Sequence, residues 1–436
     1  MIRLKQLTTL TFLVFVTSLV PFCARAEDSL TVEQAVQMAV SNQPAVKQAE
    51  QQLRASQANV EVKKSYYYPD ISVLGLYSRL GPVETITVGP GETFELFPAN
   101  NYDARLQLRQ TVYDFGERSA SVRAAEAEQR AVGDRIDLVK SSLAYQTVAV
   151  FNTILILHQS IAVIEDQITA LNEHLDVTRK KVEAGTATDF EVLTTQVRIA
   201  EARDQLIDAK TSLDEQEIVF RRLTGMSPEQ PVMLKGTFER ATVTLTPDSL
   251  RRAAMERRPE LIAARDAVTA AESRVRLTSL GFRPSLDVTF TSGFKNGYIP
   301  NLNRLKANYT AGLELQIPIF NGFQTRHRTS AADADVRVAQ EHVADIERQV
   351  DAEVSRATAA VNSSVDKIGN SEIQVRQAER AVTLAQSQYD AGVVTNLDVL
   401  DAQTALAQAR LVHLKALYKY TMSLSQLDQA TGKRVW

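Results

Sequence analysis

The sequence predicts a mainly helical α+β protein made of two copies of one unit, in which a helix is followed by a strand pair and a long helical hairpin. Three observations predict this fold class: motifs that recur in the same order in both halves, long proline-free stretches with coiled-coil periodicity, and short stretches of alternating apolar and polar residues. The predicted boundaries are a signal peptide at 1–26, a first structural repeat at 27–225, a connecting equatorial segment at 226–247 and a second structural repeat at 248–436.

The duplication is clearest in two short stretches, KVEAGTATDFEVL and QYDAGVVTNLDVL. The glycine of each stretch suits the left-handed residue that ends a helix, and the last threonine suits the N-cap of the next helix. Each stretch is therefore predicted to be the tip of two antiparallel helices. The residues that match between the tips are Gly185, Thr188, Val192 and Leu193 in the first copy, and Gly392, Thr395, Val399 and Leu400 in the second.

A proline-free stretch with apolar residues three and four positions apart precedes each tip, over 117–184 and 325–391. This spacing is typical of a coiled-coil seam. A helix of about 68 residues is roughly 100 Å long at 1.5 Å per residue. The short helix predicted after Pro44 or Pro259 and the helix that returns from each tip together nearly match this length. They could therefore lie end to end beside the long helix.

Each half also contains two stretches in which apolar and polar residues alternate, as expected of strands with one apolar and one polar face. These strands are predicted at 70–80 and 102–113 in the first half, and at 285–294 and 309–319 in the second. The polar face is too charged for a protein core but suits a water-filled lumen. Its charged residues are Asp103, Arg105, Arg109, Asp287 and Glu314.

Four such strands cannot close around a water-filled pore, and backbone groups within a membrane must all be paired. Three copies of the chain would supply twelve strands, an even number within the range of bacterial barrels. The sequence therefore predicts a homotrimer with a 12-stranded β-barrel that is continued by an α-helical barrel. The alternative from the strands alone is a helical protein whose two strand pairs pack on a soluble core.

The sequence gives no indication of a nucleic-acid partner, because the net charge is −3 and no basic stripe is present. The N-terminus favours an exported protein. A basic start, an apolar stretch at 7–20 and small residues at Ala24 and Ala26 are typical of a signal peptide. Cys23 lies near this cleavage position, so a lipoprotein is the alternative. Beyond the signal peptide, no apolar run is expected to cross a membrane as a helix.

No arrangement of residues suggests an enzyme, a metal site or a bound cofactor. The five histidines are scattered along predicted helices, without an HExxH pattern or a cysteine partner. Each histidine is therefore expected on the surface or in a helix seam. Ser292-Gly293 lies at a strand end outside any nucleophile-elbow context, and the sequence contains no glycine-rich phosphate loop.

The duplicated order of elements, the two tip motifs and the strand ends VYDFG and PIFNG resemble the TolC family of outer-membrane efflux proteins across essentially the whole mature chain. The resemblance implies a passive trimeric duct that joins an inner-membrane pump and a periplasmic adaptor to the cell exterior, in tripartite efflux or type I secretion. The strands would contact lipid in the outer membrane of a Gram-negative bacterium, with loops 81–101 and 295–308 outside. The helices would cross the periplasm, and the tips would form the gated entrance where the adaptor docks.

The resemblance also implies roles for residues at the entrance. Asp398 and Asp401 match aspartates that ring the closed entrance, where three copies would attract cations and raise the pKa of one another's carboxyls. Asp189 and Tyr389 match positions that latch the tips together. Some members carry a basic residue where this chain has Val393-Val394, so a salt-bridged latch at that position is not supported. The alternative for the aspartates is favourable placement at a helix N-terminus.

A periplasmic coiled-coil adaptor or structural protein without a pore would also carry long helical hairpins. The strand pairs that flank the long helices distinguish the two classes, because an adaptor hairpin does not require them. The sequence therefore favours the duct over the adaptor.

Overall fold

The computed structural model describes residues 29–240 and 246–434 of the chain, and the predicted signal peptide with Cys23 lies outside the described residues. In chain order the helices are α1 Val32–Asn42, α2 Pro44–Ser65, α3 Glu117–Glu183, α4 Asp189–Thr224, α5 Pro247–Arg257, α6 Pro259–Ser279, α7 Gln324–Asp390 and α8 Asn396–Ala430. The strands are β1 Asp70–Arg79, β2 Thr85–Val88, β3 Glu92–Glu95, β4 Asn100–Tyr113, β5 Ser285–Lys295 and β6 Lys306–Gln316.

The two halves repeat one order of elements, so the predicted mainly helical α+β class is confirmed. The order α2, β1, β4, α3, α4 in the first half recurs as α6, β5, β6, α7, α8 in the second. The long helices α3 and α7 each contain 67 residues, which corresponds to about 100 Å. The strand predicted at 309–319 begins and ends three residues earlier. Its earlier end fits Pro318, which cannot donate a backbone hydrogen bond to a strand ladder.

The short helices α1 and α5 and the hairpin of β2 and β3 were not predicted from the sequence. A local signal for α1 was available: Thr31 and Gln34 form a capping box, with the Gln34 side chain 2.8 Å from the Thr31 amide. The start of α5 carries Pro247 in its first turn, which is another common start signal. The β2–β3 hairpin lies within the loop predicted at 81–101.

The short and returning helices lie end to end beside each long helix, as predicted. In the first half, the Gln43 side chain donates to the carbonyls of Arg222 and Leu223 at the end of α4, at 2.7 and 2.8 Å. In the second half, Arg258 donates to the carbonyl of Ala430 at the end of α8, at 3.4 Å. Both members of each pair pack against the same long helix.

One helix, α3, is a candidate exception to the expectation that no further apolar run crosses a membrane as a helix. Residues 141–164 of this helix contain no Asp, Glu, Lys or Arg, and α3 is long and apolar enough to span a bilayer by length and composition. The structure gives a different reason for this composition. Phe151 and Ile154 are buried against Phe220 of α4 and Val232 of the connecting segment, so this part of the apolar stretch belongs to a protein core.

Four strands form one antiparallel sheet in the order β1-β4-β5-β6. Within the described part of the chain, the outer edges of β1 and β6 have no partner strand. The register sets Leu74 and Leu76 of β1 opposite Arg105 and Asp103 of β4. The imperfect alternation of β1 therefore places two leucines on an otherwise polar face.

Candidate functional site

The five charged residues predicted for a lumen share one face of the sheet. Arg109 forms an ion pair with Asp287 at 3.1 Å, and Arg105 forms one with Asp103 at 3.3 Å. Glu314 lies opposite Asp287 in the strand register. The structure therefore brings these residues together as a connected polar surface, while their place in a pore remains a prediction.

The opposite face of the sheet is apolar and uncovered in the single chain. Val73 is 78% exposed, Tyr309 is 77% exposed and Leu313 is 74% exposed. Large contiguous apolar patches are rare on soluble monomers and usually mark a protein or membrane contact. A sheet that covers a soluble core would instead bury its apolar face and expose its polar face.

Aromatic residues lie at both ends of the apolar face. Tyr77 and Tyr102 approach to 5.2 Å between ring centroids near the loop end. Tyr113 and Phe115 approach to 4.7 Å at the end that joins the helices. At about 3.3 Å per residue, the stretch of β4 between Tyr102 and Tyr113 is roughly 36 Å long.

Both predicted hairpin tips have the expected turn chemistry. Gly185 and Gly392 adopt φ values of 75° and 72°, in the left-handed region that glycine occupies without strain. Thr188 and Thr395 cap the returning helices α4 and α8 through capping boxes. The prediction of two capped hairpin tips is therefore confirmed, whereas no observation tests their docking role.

The matched hydrophobic pairs after each cap differ in burial. Val399 and Leu400 at the start of α8 are fully buried. Val192 is only partly buried, and Leu193 is 59% exposed. The first tip therefore presents an apolar surface that its own protomer does not cover.

The two aspartates predicted for an entrance ring are both exposed, and each has a partner within the protomer. The Asp398 carboxylate accepts hydrogen bonds from the side chain and the backbone amide of Thr395, at 2.7 and 2.8 Å. These bonds lower the pKa of Asp398. Asp401 forms an ion pair with Arg198 of α4 at 3.3 Å. Helix capping therefore explains the local position of Asp398, and the ring remains a prediction about the assembled protein.

Of the two residues that the resemblance assigns to a latch, Tyr389 and Asp189, only Tyr389 makes a side-chain contact between the two tips within the described protomer. Its hydroxyl donates to the Glu191 carboxylate at 3.2 Å, while Asp189 is exposed. Lys181, near the end of α3, donates to the Tyr389 carbonyl at 2.7 Å and lies 3.7 Å from the centre of its ring. Lys181 lies in α3 before the tip loop, away from the Val393-Val394 position where the resemblance implied a basic residue, so this cation was not predicted.

A second link between the tips lies beside Tyr389. His174 of α3 was expected on the surface or in a helix seam, and it lies in the seam between the two hairpins. Its Nε2 atom is 2.6 Å from Oδ1 of Asn396, the first residue of α8. Its ring packs against Tyr389, with 5.2 Å between ring centroids. The tip end of the protomer is thus held by polar contacts between segments far apart in the chain.

Comparison with known proteins identifies the family to which this architecture belongs. The family model described as "Outer membrane efflux protein" matches residues 35–226 and 250–433, which together make up most of the chain. The chain belongs to this family. The alkaline protease secretion protein AprF of Pseudomonas aeruginosa is 27% identical over 353 residues, covering 80% of this chain and 73% of that protein. Outer membrane protein TolC of Vibrio cholerae is 23% identical over 401 residues, covering 90% of this chain and 89% of that protein.

Solved structures show the same fold. The Campylobacter jejuni CmeC outer membrane channel superposes with a TM-score of 0.79 at 17% identity, covering 92% of this chain and 85% of that chain. The resemblance to the TolC family predicted from the sequence is therefore confirmed. Membership of a family of outer-membrane efflux proteins supports, at family level, the expectation that the chain is not an enzyme.

Proposed function

We propose that this protein is the outer-membrane exit duct of a tripartite efflux or type I secretion system. Three copies would form a passive channel, coupled through a periplasmic adaptor to an inner-membrane pump. The observation that carries the proposal is the two-faced sheet, with a connected charged surface on one side and an exposed apolar surface on the other. A barrel wall between lipid and water requires this combination.

The unpaired edges of the sheet support three copies. A sheet in a membrane must close, because an unpaired backbone group in hydrocarbon costs several kcal/mol. Four strands with free edges at β1 and β6 leave each copy open on two sides. Pairing β6 of one protomer with β1 of the next gives a closed barrel of twelve strands from three protomers.

The aromatic residues support a position in the membrane. The roughly 36 Å between Tyr102 and Tyr113 becomes about 25–30 Å of height when strands tilt by 35–45°. This matches the apolar band of outer-membrane barrels, whose two interfaces are marked by aromatic girdles. The long helices would then extend about 100 Å away from the membrane into the periplasm, with loops 81–101 and 295–308 outside the cell.

The names of related proteins support export as the role of the duct. AprF is named as an alkaline protease secretion protein, and a related protein of Brucella suis as an outer membrane efflux protein. In the assembled duct, the hairpin tips would form the entrance, where Asp398 and Asp401 of three copies could ring the axis and the adaptor could dock. The apolar face of the sheet argues against the rival class, a periplasmic adaptor without a pore, because such a protein has no lipid to cover that face.

Membrane fractionation of cells that express the full chain tests the proposal. We expect the protein in the outer-membrane fraction, extractable only by detergent, and migrating as a trimer on unheated gels that becomes a monomer after boiling. A monomer in the soluble periplasmic fraction would overturn the proposal and favour the adaptor class.

A further inference from the structure

The link between His174 and Asn396 joins the two hairpins of one protomer. His174 belongs to α3 of the first hairpin and is only 3% exposed. Its ring packs against the ring of Tyr389 of α7. Asn396 begins α8 of the second hairpin and is buried as well. Separating the hairpins at the tips would therefore break this contact and expose the histidine ring.

The hydrogen bonds of Asn396 determine which form of His174 fits. The Asn396 amide nitrogen donates to the Glu191 carbonyl and to the hydroxyls of Thr194 and Thr195, each at 3.3 Å. Its Oδ1 atom is therefore left as the acceptor for His174, which must donate through Nε2–H. Among residues 29–240 and 246–434, the buried Nδ1 atom has no hydrogen-bond partner. The neutral ring tolerates this, but a protonated Nδ1–H would be a buried donor without an acceptor.

Charged groups lie near His174 on three of the helices around it, while α8 contributes the neutral Asn396. Lys181 lies on α3 itself, Glu191 on α4 and Asp390 on α7. Burial is the largest influence and lowers the pKa of His174, and the positive charge of Lys181 lowers it further. The hydrogen bond to Asn396 and the charges of Asp390 and Glu191 oppose this shift without reversing it.

We propose that His174 is a pH-sensitive joint of the entrance: protonation of its ring separates the two hairpin tips of a protomer and favours the open duct. The inference rests on the proposed function, because it takes the tips to be the entrance. A protonated ring gains water for Nδ1–H only if Asn396 and Tyr389 move away. Both belong to the hairpin whose tip carries Asp398 and Asp401, so the same movement displaces the predicted ring.

The direction of the pH dependence follows from the two states. The joined tips hold His174 with a lowered pKa, whereas separated tips leave it near its ordinary value of 6.5. The joined state therefore binds fewer protons and keeps its full stability above about pH 6.5. As the pH falls below that value, each unit shifts the equilibrium up to about tenfold towards separation in each protomer, until the lowered pKa is reached.

Planar-bilayer recordings of the full-length trimer between pH 7.5 and 5.5 test the joint. We expect the open probability of the wild type to rise about tenfold over this range. The His174→Gln variant keeps an amide donor for Asn396 but cannot titrate, so it should stay closed at both pH values. His158→Gln, at an exposed position of the same helix, is the matched control and should behave like the wild type. An equal rise in wild type and His174→Gln would overturn the proposal.

A chemical measurement tests the joint without relying on conductance. Hydroxyl radicals oxidise accessible aromatic side chains at a rate that changes little between these pH values. Mass spectrometry can therefore compare oxidation of Tyr389, which is 5% exposed and packs on His174, with that of Tyr68, which is 73% exposed in the same chain. The ratio should rise several-fold as the pH falls from 7.5 to 5.5. A constant ratio would overturn the joint whatever the recordings show. Trimers that form no pore at any pH would instead contradict the proposed function, and the labelling ratio would still decide the joint.

Discussion

Leu193 in the first tip and Leu400 in the second follow the same capped turn, but their surroundings differ. Leu400 is fully buried with Leu171, Leu175 and Ile199, because α8 packs against α3 of the first repeat. Leu193 is 59% exposed, because within the described residues α4 has little contact with the second hairpin. The duplication preserved the turn, while the position of each tip relative to the other hairpin decided which side chains became core.

The joints between the short and returning helices show the same divergence in charge. Gln43 and Arg258 both precede the proline that starts a short helix, and both donate to carbonyls at the end of the returning helix. Gln43 does so as a neutral amide. Arg258 is buried and also binds the carboxylates of Glu353 and Glu260, at 2.7 and 2.9 Å. One repeat thus uses neutral hydrogen bonds where the other uses a buried ion network.

The largest effect is expected at the tips. Leu400→Ala should lower the free energy of unfolding by about 2–5 kcal/mol, because it removes a side chain from a packed core. Leu193→Ala, at the matched position, should cost less than about 1 kcal/mol in the dissociated protomer. Denaturant unfolding in detergent, followed by helical circular dichroism, measures both. Equal losses in the two variants would contradict the asymmetry.

The next effect is expected at the joints. Arg258→Ala should cost about 2–3 kcal/mol, because it leaves the partly buried Glu353 carboxylate without its cation. Gln43→Ala should cost about 0.5–1.5 kcal/mol, the usual range for neutral hydrogen bonds. Arg258→Gln gives the second joint the side chain of the first. Its loss of unfolding free energy should lie between those of Arg258→Ala and Gln43→Ala. The same unfolding measurement applies, and a Gln43→Ala loss as large as that of Arg258→Ala would refute the distinction.

The pH dependence of the second joint sharpens this comparison. Burial raises the pKa of Glu353, but hydrogen bonds from Gln349 and Arg258 outweigh it, so the pKa lies below its ordinary value of 4.5. The stabilisation by Arg258 is therefore complete above about pH 4.5 and is lost as the pH falls through the lowered pKa. The difference between wild type and Arg258→Ala should shrink at pH 3.5, whereas that of Gln43→Ala should not change.

A smaller effect is expected where the two repeats meet, between α3 and α6. Burial and the neighbouring carboxyl of Asp266 raise the pKa of Asp134 to about 6. The folded state therefore binds the Asp134 proton more tightly than the unfolded state does. The stability that this protonated carboxyl contributes is present at pH 4 and is lost as the pH rises through 6. After allowance for solvent screening, Asp134→Asn should stabilise the protein by about 1 kcal/mol at pH 7.5. Unfolding at pH 4 should show no such gain; a gain at both pH values would exclude the carboxyl pair as its cause.

Local chemistry explains how much of this architecture could be read from the sequence. Gly185, Gly392 and their threonine caps act within a few residues, so the tips were predictable. The contact between the tips was only partly predictable: Tyr389 was singled out, but Glu191, which accepts its hydrogen bond, was not. The pairing of His174 with Asn396 joins segments far apart in the chain, and no local pattern encodes which residues face each other across two hairpins.

The short elements were missed for a different reason. A helix such as α1 is too short to show clear periodicity, and only its capping box at Thr31 marks it. The burial of Phe151 and Ile154 within the uncharged stretch of α3 could not be predicted from the sequence either, because a core helix and a membrane span have similar compositions. The formation of α1 and the burial within α3 both depend on which elements pack against each helix.

Single-channel conductance of the purified trimer tests the central claim, a trimeric duct with a carboxylate ring at its entrance, most directly. The wild type should give small cation-selective openings, and Asp398→Ala/Asp401→Ala should lose much of that selectivity. Asp204→Ala/Asp208→Ala, which removes exposed carboxylates of α4 farther from the tip, should leave the selectivity unchanged. Folded, membrane-extracted trimers without openings would contradict the duct, and unchanged selectivity in the first variant would contradict the ring.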